Sequence, residues 1–183
     1  MRRVPILFFI LCLIFVGGCS FFRASAKNDP KVIPLKYSGK ILEPEKLARG
    51  GKIVVLSFQA GEDVESTPEL ENLVLVIIKS VSDSLNDGTS RFEIIPGSDA
   101  QTADFTMQGH ILKFKKSGVF NKVVLRNKEI SLAVKVKILD ASSQKTVLIF
   151  EDDERSMQKN ETEKDLAVRI GQDLAKFILS SVK

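Results

Sequence analysis

From residue 52 onward the apolar positions fall into two periods, every second residue where strands are expected and every third or fourth where helices are. Residues 52–58 form an apolar, β-branched run between Gly50-Gly51 and Gly61, the composition of a strand covered on both faces. Ser66-Thr67-Pro68-Glu69 then supplies capping hydroxyls, a proline at the first helical position and an acid in the first turn. Leu70, Leu73, Val74, Ile77, Ile78, Val81 and Leu85 make one helical stripe that Leu75 and Val76 widen, so the spacing predicts a well-covered helix ending at Asn86-Asp87-Gly88. Residues 91–95 predict a second strand, parallel to the first because a helix joins them. The remaining strands are expected to be antiparallel.

Residues 104–116 are β-rich, but their alternation changes parity: Phe105 and Met107 share one face, Leu112 and Phe114 the other, which predicts a bulge near Gly109. The clearest strand follows, with Ile130, Leu132, Val134, Val136 and Ile138 alternating with Ser131, Ala133, Lys135 and Lys137, one face buried and one wet. Residues 140–145 turn the chain into a hairpin partner over 146–155. A closing helix begins at Asn160 or Thr162, with the stripe Leu166, Ile170, Leu174, Phe177, Ile178 and Val182 and the small residues Ala167, Gly171 and Ala175 beside it. Neither helix can leave its stripe in water. The expected fold is α+β, a two-layer sandwich in which a mixed sheet of about five strands carries two helices on one face, in the order β-α-β-β-β-β-α, as one domain over residues 52–183.

The chain opens differently. Arg2-Arg3 precedes an apolar stretch over residues 6–16, about half of the ~20 residues a membrane-spanning helix needs, and Val16-Gly17-Gly18-Cys19 closes it. This pattern resembles the lipobox of bacterial lipoproteins. The resemblance implies a signal peptide over residues 1–18, cleavage before Cys19, and lipidation of that cysteine with diacylglyceryl and acyl (palmitate-type) chains as a membrane anchor. By the sorting rule of Gram-negative lipoproteins, Ser20 implies the periplasmic face of the outer membrane; in a Gram-positive cell the anchor would lie in the cell membrane. Residues 19–51, with Pro30, Pro34 and Pro44, are expected to be a flexible tether, within which residues 41–49 fit either a short helix or an added edge strand.

With Cys12 in the signal and Cys19 lipidated, no disulfide is expected, so stability must come from the core. Loss of Arg2 and Arg3 reduces the 27 basic residues to 25 against 23 acidic ones, a balance that gives no reason to expect nucleic acid as a partner. His110 is the sole histidine, expected to be a plain strand residue. Glu151-Asp152-Asp153-Glu154 could suggest calcium, but strand alternation splits it into two pairs, and a solvated strand end is expected. Phosphate loops, zinc patterns and nucleophile elbows are missing; Ser142-Ser143 and Ser180-Ser181 suit a turn and a helix end. No catalysis, metal or cofactor is expected.

One connection stands out. Residues 115–128 place Val119, Phe120, Val123, Val124 and Leu125 within a frame of Lys115, Lys116, Lys122, Arg126 and Lys128. That composition fits a surface for an envelope protein or anionic lipid, and equally a hairpin extension covering the end of the core.

The ordered motifs carry a resemblance of their own: Ile53-Val54-Val55-Leu56-Ser57-Phe58 before a long helix, Arg91-Phe92-Glu93-Ile94-Ile95, Ala103-Asp104-Phe105 leading to Gly109-His110-Ile111, and Ile138-Leu139-Asp140-Ala141. Together they resemble the α/β domain shared by the N-terminal part of TolB, the peptidoglycan-synthase activator LpoB and the curli secretion lipoprotein CsgG. The lipopolysaccharide-assembly lipoprotein LptE and auxiliary lipoproteins of lipid-transport ABC systems show a more distant rhythm. Gln59-Ala60-Gly61 departs from the polar residues expected after the first strand in that group, and no segment suits a secretion pore. The resemblance implies a cell-envelope accessory or assembly factor, or alternatively a lipid or lipopolysaccharide transport component, and no catalytic residues.

Overall fold

In the computed structural model, which describes residues 37–86, 91–116, 129–158 and 160–182, apolar alternation and helical stripes become two layers. The elements are β1 (Tyr37–Ile41), α1 (Pro44–Leu47), β2 (Gly51–Ala60), α2 (Pro68–Leu85), β3 (Phe92–Ile95), a 3-10 helix (Gly97–Thr102), β4 (Phe105–Lys115), β5 (Ile130–Asp140), β6 (Thr146–Ser156) and α3 (Glu163–Ser180). Six strands form one mixed sheet in the order β1-β6-β5-β4-β2-β3. The predicted α+β sandwich with its helices on the sheet is therefore the observed architecture.

The helices start where the capping residues place them. The Thr67 hydroxyl accepts the Leu70 N–H at 3.3 Å. At α3, Thr162 and Asp165 form a capping box: the Thr162 N–H donates to Asp165 Oδ2 at 2.8 Å, and the Thr162 hydroxyl accepts the Asp165 N–H. Leu70, Leu73, Ile77, Val81 and Leu85 of α2 and Leu166, Ile170, Leu174 and Ile178 of α3 are buried in one core with Phe105, Met107 and Ile111 of β4 and the apolar face of β5. Each such aliphatic side chain contributes about 1.5–3 kcal/mol. The helices touch through the small residues: Ala167, Gly171 and Ala175 are fully covered, and Ser80 Oγ donates to the Val168 carbonyl at 2.9 Å.

The structure corrects several expectations. Residues 37–47, placed in the tether, are folded: β1 pairs antiparallel with β6, and the helical alternative holds at Pro44–Leu47. β1 is held from the inside, where Tyr37 packs against Phe150 and Phe177 with ring centroids 5.4 and 5.9 Å apart. Gly39 has no side chain to obstruct this; a Cβ there would lie 2.4 Å from the Phe177 ring. The strand β4 is not purely antiparallel in its pairing: it runs parallel to β2 on one side and antiparallel to β5 on the other. The 3-10 helix carries the chain from β3 on one side of β2 to β4 on the other, a neighbour relation that periodicity does not encode.

The bulge falls at Leu112 rather than Gly109, with a second at Leu56 of β2. Gly109 has a different task, since a Cβ there would meet the Phe58 ring at 2.2 Å. Leu56 and Leu112 are both exposed, so β2 is covered on both faces only at Ile53 and Val54. Ser131 and Ala133, expected on the wet face of β5, are buried as well.

Replacing Gly171 tests the helix contact. Alanine is the better helix former, yet its Cβ would lie 2.6 Å from Ser80 Cβ and 2.7 Å from the Ile77 carbonyl oxygen. Gly171→Ala should therefore destabilise the domain by about 1–3 kcal/mol in urea unfolding, rather than stabilise it.

Candidate functional site

Of the residues singled out at the connection from β4 to β5, Lys115 and Lys116 lie within the described residues; Val119, Phe120, Lys122, Val123, Val124, Leu125, Arg126 and Lys128 lie outside them, as does Cys19. Lys116 follows the last residue of β4, and its ammonium donates to both carboxylate oxygens of Glu69 at 2.6 and 2.8 Å. That bond holds the amine above its ordinary range. The pair spans the mouth of an open groove of about 590 Å³ at the head of the helical layer, where the first turns of α2 and α3 meet the end of β4. Its apolar lining is Leu73, Leu75, Val76 and Phe114, and Lys79, Lys116 and Lys164 stand around it with Glu69 and Glu163.

Leu75 is the decisive side chain. Its place beside the helical stripe suggested cover, but it is 63% exposed. It also lines a second groove running from α2 toward Ile94 and Ile95 of β3. One flank of α2 therefore presents apolar surface that the described residues leave open.

A second cluster corrects the reading of the acidic run. Alternation does split it, and the outward pair is solvated: Glu151 bridges Lys135 and Asp153 bridges Arg155, both at 2.5 Å. The inward pair is not. Asp152 and Glu154 continue the core-facing parity of Leu148 and Phe150 and are only 3% and 1% exposed. Burying carboxylates is costly unless charge and hydrogen bonds compensate. For Glu154, α3 supplies the compensation: Arg169 Nε lies 2.9 Å from Glu154 Oε2, while the other arm of the guanidinium binds Glu161. A hydrogen bond from Ser156, and then that contact with Arg169, keep the Glu161 carboxyl below its usual range.

One carboxylate oxygen each from Asp152, Glu154 and Asp173 lies within 4.8 Å of the others. Three such oxygens are the donor type a hard cation such as calcium or magnesium takes. Arg169 answers Glu154 across the layers, and within α3 Lys176 answers Asp173 at 2.7 Å, so two of the three carboxylates stand in ion pairs. Parity within β6 was the signal for this cluster, and its cations lie in α3, out of reach of any local motif.

The remaining candidates keep structural roles. His110 is half-buried on the outer face of β4, in register with Gln59 and Lys135. The Ser142 and Ser143 hydroxyls donate to Asp140 Oδ1 at 2.6 and 2.7 Å and close the β5–β6 turn. Ser180 and Ser181 donate to carbonyls one turn back in α3. Asp104 joins three strand ends: Oδ2 accepts the Lys52 N–H, its N–H donates to the Lys52 carbonyl, and its carbonyl accepts from Ala141. Among the described residues, no helix is long and apolar enough to cross a membrane.

No family model and no curated protein matches the chain. Solved structures do. The chain is similar to PelC from Paraburkholderia phytofirmans, solved as a dodecamer, at 18% identity and a TM-score of 0.53, covering 80% of this chain and 96% of that one. It is also similar to protein XCC0632 from Xanthomonas campestris, at 9% identity and a TM-score of 0.54, covering 72% and 85%. At these identities the likeness is one of fold.

Two substitutions probe the ion pairs. Arg169→Ala leaves buried Glu154 without its guanidinium and should cost about 3 kcal/mol in urea unfolding, most of it recovered when Glu154→Gln is added. Asp140 is different, because hydrogen bonds from Ser142 and then Ser143, aided by Lys46, hold its carboxyl far below the usual carboxylate range. A carboxyl depressed in the folded state stabilises at pH above its unfolded value of about 4 and loses that contribution as pH falls further. Thermal melting across pH 2–7 (on the order of one unit per step) should therefore show an acid-side loss that Asp140→Asn reduces.

Proposed function

We propose that this chain is a lipid-anchored envelope protein that acts by binding, as an accessory or assembly factor of a cell-envelope complex, and not as an enzyme. The structural observation that carries the binding role is the open apolar flank of α2, with Leu75 63% exposed between two grooves. A contiguous apolar surface, here Leu75 with Val76 and Phe114 along the groove, is a mark of a protein contact where a lone exposed side chain is not. Cys19, at the end of the lipobox-like segment, is the anchor in this reading, and Ser20 places the domain on the periplasmic face of the outer membrane. Anchoring confines a weak binding surface near its partner and raises the effective concentration there. Within the envelope group, the sequence motifs favour the TolB, LpoB and CsgG-like domains.

The groove also supports a second reading. Its apolar lining and surrounding lysines suit the acyl chain and anionic head of a lipid, which favours a role in lipid or lipopolysaccharide transport or assembly.

The test joins anchor and flank. Mass spectrometry of protein purified from membranes should show an acylated, lipid-modified Cys19 as the first residue, and Cys19→Ala should release the chain from the membrane fraction. A photo-crosslinker at position 75 should capture one defined envelope protein, whereas one at exposed Gln172 should not. An unmodified thiol refutes the anchor; equal capture at both positions refutes the flank. Native mass spectrometry showing bound lipid without protein capture selects the second reading.

A further inference from the structure

The two faces of the domain differ in charge, and the difference is laid out by the strand register. On the sheet face away from the helices, Lys40 of β1, Ile149 of β6, Lys137 of β5 and Gln108 of β4 form one cross-strand row. The next row is Ser38, Glu151, Lys135 and His110, and beyond it Asp153, Ala133 and Lys113 align. Across β6, β5 and β4 the carboxylates on this face are answered, Glu151 by Lys135, Asp153 by Arg155, and Glu129, beside the start of β5, by Lys115 at 2.5 Å, and toward the β3 edge Glu93 stands in register with Lys52. Among the described residues of these rows, Lys40 and Lys137 have no ion pair, and Lys113 touches no carboxylate, although Glu129 and Asp153 feel its charge from farther off. Neighbouring strands are about 5 Å apart, so these three charges spread over a patch roughly 15 Å wide. The helical layer has the opposite balance, since α2 and α3 carry six carboxylates against four cations.

From this asymmetry we infer that the lysine-bearing face of the sheet, away from the helices, docks on the anionic phospholipid headgroups of a bilayer. The inference rests on the Cys19 anchor only for proximity. Seventeen residues separate Cys19 from Tyr37, a length that reaches at most about 60 Å, so a lipid on Cys19 keeps the domain within reach of the bilayer. Headgroup phosphates attract the side with residual lysines and repel the helical side, which turns the flank of α2 toward partners. The long lysine side chains can reach the phosphates while the backbone of the sheet stays in water. Each lysine near an anionic surface raises partitioning about fivefold, with the effect confined to about a Debye length.

Lysine footprinting tests the orientation. Purified full-length mature protein is incorporated into vesicles of phosphatidylcholine alone or with phosphatidylglycerol, exposed to an amine-acetylating reagent and mapped by mass spectrometry. Lys40, Lys113 and Lys137 should be protected several-fold on the anionic vesicles relative to the neutral ones, while Lys79 and Lys164 of the helical layer stay equally reactive. High salt should abolish the protection. Equal labelling of the three sheet lysines on both vesicles, or protection of Lys79 and Lys164 instead, overturns the inference. Protection by an added acidic protein and not by vesicles also overturns it.

A variant without lipid separates this inference from the anchor. Full-length Cys19→Ser should still favour anionic vesicles in flotation, and adding Lys40→Gln, Lys113→Gln and Lys137→Gln should lower that preference roughly a hundredfold, with an unchanged circular-dichroism melt confirming the fold. An anchor refuted by mass with this preference intact leaves the docking face standing. A confirmed anchor with no preference refutes the docking face alone.

Discussion

A sheet with helices on one face only must gather most of its large apolar side chains on that face, and most of this domain's features follow from that constraint. The strands alternate accordingly, and the core joins β4, β5 and β6 to the stripes of α2 and α3. The helices can share the one face because they approach closely, with Gly171 against Ser80 and Ile77. That contact leaves no room to rotate either stripe away from the sheet. The other face carries lysines, serines and glutamines with a few apolar residues such as Leu139 and Ile149, and on the flank of α2, at the margin of the layer, Leu75 stays exposed.

Much of this architecture was legible in the residues. The alternation from Ile130 to Ile138 and the α3 stripe each have one interpretation, because their apolar periods are uninterrupted and their caps sit at the right ends. β1 was hidden for a physical reason: Tyr37-Ser38-Gly39-Lys40-Ile41 offers only two large apolar side chains, and its central inward residue is a glycine chosen by the Phe177 ring of a helix far along the chain. The parallel pairing of β2 with β4 was hidden because period reports which way a side chain points and not which strand lies next to it. Burial of Asp152 and Glu154 was half visible, since parity directed them inward, but their charge argued for water until Arg169 was seen across the layer.

The candidate surfaces were less legible still. A helical stripe widened by Leu75 and Val76 signals either deeper burial or an apolar side left in solvent, and only the three-dimensional arrangement separates the two. The charge contrast between the layers is likewise a property of pairing. In composition the basic and acidic residues nearly cancel, and the cross-strand register determines which cations remain after Glu151, Asp153 and Glu129 have been matched.

The aromatic contact at β1 has a mechanical consequence. The backbone preceding the domain enters it at Tyr37, and the ring there rests on Phe150 of the adjacent strand and Phe177 of the last helix. Any tension arriving along that backbone is taken up first by three rings packed tilted and edge-on, and by the hydrogen bonds joining β1 to β6. The first strand thus acts as a clasp between the leading end of the fold and its trailing helix, and the load it can bear before peeling away limits how hard the domain can be pulled without opening its core.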